Sequence, residues 1–413
     1  MLNSARINSL AWLALLLWAV TLVIRYWDAA GLDLSALYFA AKFFGDGFAS
    51  DVYSTGDTLL GETPTVNWLM AGAAEGLEEH ELTPYVYPPL WAALFSPLAS
   101  NIGLRPFLQG GLLVLVPSLL VLIHASWRLS GRGIAWALWV LISVLVVELT
   151  APFGLALDLM QPQILISALI VLAFAKLREN AWAVAGACLA LAAALKGSPA
   201  LLVVVLLFAG HWRAIAVFAA VGGGLGLLSI LIAGWPLHLL FLERLALLDD
   251  AALLSRVNLS LQPIVALLLS GELSDPNAGY AWLKAPSWLS YLSLGITLTG
   301  LALGGLACRR GAWVLGLSLA WTAVLLASPL AWTHYAILPL CFVPALIGVF
   351  SNPRIGQVFV LAIVLASSKA FFAQLVGQPL YIAAIYGSAA ALLAFVGLTT
   401  CTLRSFGARW HQA

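Results

Sequence analysis

Apolar runs, several of them near the roughly twenty residues a helix needs to cross a bilayer, recur from the beginning of this chain to its end, and nothing else in it restricts the fold as strongly. Such runs suit lipid, where helices satisfy their own backbone groups and hydrocarbon solvates their outward faces. Candidate spans fall at 8–26, 107–127, 133–150, 163–176, 181–195, 199–210, 213–234, 287–307, 312–327, 334–350, 355–372 and 380–403. Segments 86–100 and 257–270 are apolar but short, which suits tilted or re-entrant helices. The runs flanking Lys196-Gly197-Ser198-Pro199 are short too, and read as two half-length helices or one broken helix. The expectation is an all-α polytopic membrane protein, a single domain over 1–413, with about 10–13 transmembrane helices.

Composition supports this class. Of 413 residues, 62% are hydrophobic and 9% charged, where a soluble chain carries roughly 25% charged residues. A net charge of +1 leaves no basic footprint for nucleic acid. Cys188, Cys308, Cys341 and Cys401 all lie in apolar runs without C-x-x-C spacing, and read as small buried hydrophobes. The run Ile7 to Ile24 lacks a small-residue cleavage site and is taken as the first helix.

Basic residues of short loops set the orientation. Arg128 with Arg132, Lys176 with Arg178, Arg213, Arg309 with Arg310, Arg354, and Arg404 with Arg409 are assigned to the cytoplasm, together with both termini. The first long loop, 28–85, is opposite in character. It carries Asp28, Asp33, Asp46, Asp51, Asp57, Glu62, Glu75, Glu78, Glu79 and Glu81 against one base, Lys42. It is placed outside, as is a second loop, 235–286, containing the short segment 257–270. Within the first loop, Leu34, Leu37, Tyr38, Ala41, Phe44 and Phe48 share one face of a helix that would lie in the interface.

Polar groups at membrane depth are costly and therefore functional candidates. Asp33 just precedes the amphipathic segment. It could cap that helix or serve as a base at the bilayer boundary. Lys196 stands alone between apolar runs, at a cost of roughly 2.5–3.5 kcal/mol for mid-helix burial. It either snorkels or supplies a point charge for a phosphate, and the following Gly197 and Pro199 break the helix. His334, in Trp332-Thr333-His334-Tyr335, is either part of an interfacial aromatic belt or a donor to a phosphate oxygen, with Trp332 and Tyr335 shaping a sugar or prenyl contact. Tyr87, in Tyr85-Val86-Tyr87-Pro88-Pro89, reads first as a belt residue. Gln161, Gln163, Arg256 and Asn258 are weaker candidates. Buried glutamines commonly join helices, and Arg256, like Arg244, could equally meet anionic headgroups. No P-loop, H-E-x-x-H or G-x-S-x-G motif is present, and no two histidines have metal-ligand spacing.

Taken in order, these pieces resemble glycosyltransferase family 87. The resemblance rests on Gly31-Leu32-Asp33, Tyr38-Phe39-Ala40-Ala41, Asp51-Val52-Tyr53, Val86-Tyr87-Pro88-Pro89-Leu90, Gln161-x-Gln163, Leu195-Lys196-x-x-Pro199, Asn258-Leu259-Ser260-Leu261 and Ser328-Pro329-x-x-Trp332-x-His334-Tyr335. It implies a GT-C-type helix bundle in a bacterial plasma membrane, with its active site on the extracytoplasmic side. It also implies a polyprenyl-phosphate sugar donor, mannose favoured, and a lipid or glycan hydroxyl as acceptor. On the same basis Asp33 is the acceptor-activating base, and Lys196 and His334 meet the donor phosphate. No cofactor is implied, although acids of the first loop beside Asp33 leave room for a divalent metal. Two departures concern acceptor identity: Met160-Gln161-Pro162-Gln163 stands where the family usually shows Gly-Gln-x-Asn, and Glu75 to Glu81 form an acidic insertion. The runner-up class is a transporter or lipid-linked-sugar flippase, suggested by the broken helices. A third is a non-catalytic partner that organises lipid-linked sugars.

Overall fold

The computed structural model describes residues 4–53, 64–248, 251–271, 279–350 and 352–407. Asp57, Glu62 and Arg409 of the charge pattern lie outside the described residues. The described chain is almost wholly helical. α1 (Ser4–Tyr26) leads to α2 (Leu32–Gly45), α3 (Val66–Ala74) and α4 (Pro89–Ala99). α5 (Leu104–Leu129) then runs about 39 Å, at 1.5 Å per residue. There follow α6 (Trp136–Leu149), α7 (Ala151–Asp158), α8 (Gln163–Arg178), α9 (Trp182–Leu195), α10 (Val203–Ala209), α11 (Trp212–Ala233) and α12 (Trp235–Ala246). β1 (Ala251–Ser255), α13 (Gln262–Ser270) and β2 (Tyr280–Lys284) come next. The chain closes with α14 (Trp288–Arg309), α15 (Trp313–Ala327), α16 (Ile337–Leu340), α17 (Val343–Leu346), α18 (Pro353–Ala366), α19 (Lys369–Val376) and α20 (Leu380–Gly407).

Side-chain bonds fix the two ends of the bundle. At one end Arg25 of α1 meets Glu148 of α6 at 2.8 Å, and Trp91 of α4 donates to the carbonyl of Ala194, at the end of α9, at 2.7 Å. At the other, Arg178 of α8 donates to the carbonyl of Leu129, the last residue of α5, at 2.6 Å. There Glu179 also pairs with Arg128 and with Lys176. The first end carries the polar cavity described below and is called the site end.

Among the described residues five helices are long and apolar enough to cross a membrane alone: α1, α5, α11, α14 and α20. Six shorter apolar segments accompany them, among them α6, α9, α15 and α18. The protein is an all-α polytopic membrane protein. Five full-length helices and six shorter apolar segments bear on the 10–13 expected crossings, and not every expected run is one continuous helix. Run 334–350 is not one helix but a 3-10 turn (Thr333–Ala336), α16, α17 and a second 3-10 turn (Ile347–Val349). Pro339 and Pro344 remove two helical donors there. Run 355–372 divides into α18 and α19 at Ser367-Ser368, where Ser368 caps α19 by accepting from the amide of Phe371. Segment 86–100 becomes α4, which packs along α2 and α11. Segment 257–270 supplies only α13, between the strands of an antiparallel ribbon that pairs Ala251 with Lys284 and Ser255 with Tyr280. That ribbon was not anticipated.

Small residues let helices approach closely. In the α14–α15 hairpin a Cβ on Gly304 would lie 2.6 Å from the carbonyl oxygen of Gly316, and one on Gly300 would lie 2.2 Å from Ala323 Cβ. Backbone contact of this kind drives helix association in lipid, where hydrophobicity does not. Cys188, Cys308 and Cys341 are free, buried thiols, and Cys401 is partly exposed.

Candidate active site

The α2 segment forms as expected, but its start is built differently. Its N-cap is Gly31, with φ 56° and ψ 43°, and no side chain caps it. A Cβ at Gly31 would meet Met160 Sδ at 2.9 Å, so both the left-handed backbone and the close approach require glycine. The amides of Gly31 and Asp33 donate to the carbonyls of Asp158 and Leu159. These bonds fasten α2 to the end of α7. Asp33 therefore sits in the first turn, not at the cap, and its side chain lines the cavity.

Tyrosines and one half-buried acid, Glu75, brace the adjoining first-loop region. Thr83 Oγ1 donates to the carbonyl of Leu32 at 2.8 Å. The hydroxyl of Tyr53 donates to the carbonyl of Tyr87 at 2.7 Å, and that of Tyr87 to Gln161 Oε1 at 3.1 Å. Tyr87 is thus a buried, bonded wall residue, not a belt residue. Glu75, from the acidic insertion, is structural: it accepts from the hydroxyl of Tyr38 at 2.7 Å and the amide of Leu104 at 3.2 Å, with Lys42 at 3.6 Å. Glu78 and Glu81 close a capping box on the 3-10 turn Glu79–Glu81. The sequence assigns no role to Tyr53, Thr83 or Glu75, because each acts through contacts distant in the chain.

Lys196 follows the last turn of α9 with extended backbone, φ −155° and ψ 128°, before a 3-10 turn (Ser198–Leu202) leads into α10. The helix is broken, and Lys196 marks the break. Its Nζ lies 3.9 Å from the ring centroid of Tyr335 and 5.8 Å from that of Tyr87. It turns inward onto the cavity wall and does not snorkel away.

His334 is carried by the 3-10 turn after α15, and a neighbouring segment secures that turn. Asn258 accepts from the amides of Ala331 and Ser260 and donates to the carbonyl of Leu253. Thr333 donates from both its amide and its hydroxyl to the carbonyl of Val257. His334 is 5% exposed, and its Nε2 has no hydrogen-bond partner among the described residues. An unpaired polar atom in a buried side chain is costly unless something binds there.

Asp33, Tyr87, Gln161, Lys196, Trp332, His334 and Tyr335 all line one cavity of about 740 Å³. Three other candidates do not. Gln163 donates to Ser167 within α8, Asn258 braces the loop, and Arg256 donates to the carbonyl of Gln378 and lines a neighbouring cleft. The cavity also takes Ser198, from the turn after Lys196, and Phe241, Leu245 and Tyr280, whose approach depends on how α12 and β2 fold over the site. Among the described residues no three His, Cys, Asp or Glu side chains come together as metal ligands.

The electrostatics are unusual for a carboxyl and an amine. Both lie outside the crossing helices, Asp33 in the first turn of α2 and Lys196 at the break after α9. Burial pushes the Asp33 carboxyl up to about 7, partly offset by the charge of Lys196. Burial likewise lowers the Lys196 amine to about 7, partly offset by Asp33. Burial, assisted by Lys196, holds the His334 imidazole neutral, well below its ordinary value.

Fold and cavity together define a polytopic membrane protein with a titratable site at the ends of its helices. The sequence model of glycosyltransferase family 87 matches residues 85–329, more than half of the chain. The chain belongs to glycosyltransferase family 87, and is a membrane glycosyltransferase. Tyr87, Gln161 and Lys196 fall inside the matched range; Asp33, Trp332, His334 and Tyr335 fall outside it. A comparison with curated proteins finds no match.

Proposed function

We propose that this glycosyltransferase moves a hexose, mannose by preference, from a polyprenyl-phosphate sugar to a hydroxyl of a lipid or glycan, with inversion, at the outer face of a bacterial plasma membrane. The observation that carries the reading is the joint lining of one cavity by Asp33, Lys196 and the unpartnered Nε2 of His334. The acceptor hydroxyl gives its proton to Asp33 as its oxygen bonds to the anomeric carbon. The bond from that carbon to the phosphate oxygen breaks, and the lipid phosphate leaves with the electron pair. Lys196 as a cation and neutral His334 as an N–H donor stabilise the charge developing on the departing phosphate. A base near neutrality suits this task, because it is partly ionised yet still basic enough to take the proton.

The placement at the outer face is supported by distance from the basic end. Arg128, Lys176 and Arg178 lie at the end of the bundle opposite the cavity, where positive-inside places the cytoplasm. Family membership displaces the transporter and flippase alternative.

The test is transfer by the purified protein in nanodiscs, with radiolabelled polyprenyl-phosphate mannose and a membrane lipid extract. Label should reach a new product with wild type and fail to with Asp33→Asn. Equal transfer by both removes Asp33 as base. Transfer only from glucose or arabinose donors replaces the sugar, and full activity in both Lys196→Ala and His334→Ala removes the phosphate assignment.

A further inference from the structure

Lys196 has no salt bridge or hydrogen bond from its amine among the described residues; its ammonium contacts two aromatic faces, Tyr335 at 3.9 Å and Tyr87 at 5.8 Å. Both rings are fixed from behind. Trp321, buried in α15, donates its indole N–H to the carbonyl of Tyr335 at 2.9 Å, and the His334 ring packs edge-on against Tyr335 at 5.0 Å. Tyr87 is held through its hydroxyl by Gln161 and through its carbonyl by Tyr53. The end of α9 that delivers Lys196 is tied by Trp91 to α4.

We infer that Tyr335 and Tyr87 are positioning residues forming an aromatic cradle that holds the Lys196 ammonium facing the cavity before substrate arrives. The inference rests on the reading of Lys196 as the phosphate cation. It changes the part of Tyr335 from a sugar or prenyl contact to the seat of the lysine, and gives Gln161 the task of fixing one ring. A π face suits this purpose. It is attractive to a cation, so the amine stays in place, yet it brings no competing anion, so the donors that point away from the ring remain for phosphate oxygens. A carboxylate partner would have to be displaced by the incoming phosphate. The titratable groups facing the amine are Asp33 from α2, Tyr87 ahead of α4, and His334 and Tyr335 from the turn after α15.

The direct test needs no transfer reaction. Full-length protein in nanodiscs is treated with an amine-acylating reagent across a pH series, and modification of Lys196 is followed by mass spectrometry, with and without farnesyl phosphate. Tyr335→Phe keeps the ring and should reproduce the wild-type curve and its protection by farnesyl phosphate. Tyr335→Leu removes the ring and should move the midpoint lower by about 0.5–1.5 pH units, with a roughly two- to thirtyfold loss in farnesyl phosphate protection. Tyr335→Met, whose flexible unbranched side chain fills gaps without a π face, reads out the same way if the leucine variant does not fold. A folded leucine or methionine variant that titrates like wild type overturns the cradle. Loss in the phenylalanine variant equal to that in leucine overturns it too, by pointing to the hydroxyl. If Lys196→Ala transfers sugar at the full rate while the leucine variant still shifts the curve, the phosphate reading falls and the cradle stands.

Discussion

The pH profile of kcat/KM tests the paired roles of Asp33 and Lys196 most severely. The base must be ionised and the cation protonated, and burial brings both groups to about 7. The carboxyl is raised, so its active form is lost as pH falls through about 7. The amine is lowered, so its active form is lost as pH rises through about 7. With both midpoints there, the active fraction peaks at roughly a quarter near neutrality. Two pH units to either side, one group is only about 1% in its active form, so kcat/KM drops about 25-fold on each limb. The midpoints belong to the interacting pair, not to either residue alone. In kcat the alkaline limb should lie higher, because bound phosphate holds the proton on Lys196. The assay is initial rate against pH in nanodiscs of uncharged lipid, with donor well below KM. A profile flat within threefold from about pH 5.5 to 8.5 refutes the pairing. So does an acidic limb that persists unchanged in Asp33→Asn.

The other perturbations divide into chemistry and architecture. Asp33→Asn should lower kcat by about 10²- to 10⁴-fold, the usual worth of a general base. Its melting temperature should equal or exceed wild type above about pH 7, because a carboxyl raised in the folded state destabilises the fold once ionised. Glu75→Ala should leave the Leu104 amide unpaired and the Tyr38 hydroxyl with only its longer bond to the carbonyl of Ile102, at 3.3 Å, and destabilise the first-loop region by about 1–3 kcal/mol, read as protease cleavage between α2 and α5. Gly304→Leu forces a side chain against the Gly316 carbonyl and Ala320, at 2.6 and 2.9 Å from Cβ. It should cost at least about 1–3 kcal/mol, seen as a lower melting temperature, while Gly223→Leu, with nothing within 4 Å, should not.

Sequence by itself determined the class of this protein and singled out several residues that line its cavity, while tertiary structure decided which polar residues meet. Class is legible because lipid as solvent imposes long apolar runs whatever the neighbours. Asp33, Lys196 and His334 stood out because an ionisable group beside an apolar run is costly wherever it finally lies. The same argument could not separate Asn258, which braces a loop, from His334, whose Nε2 is unpartnered, because hydrogen-bond satisfaction depends on residues far away in sequence. Nor could it see that Gly31 would take the cap and leave Asp33 to the cavity, since that follows from the docking of α2 on α7 and Met160. Run 334–350 has the hydropathy of a span, but its prolines divide it, and surrounding helices cover the pieces. The Tyr335–Lys196–Tyr87 arrangement unites residues from three distant segments; their spacing in the chain carries no trace of the contact, which exists only because the helix ends converge.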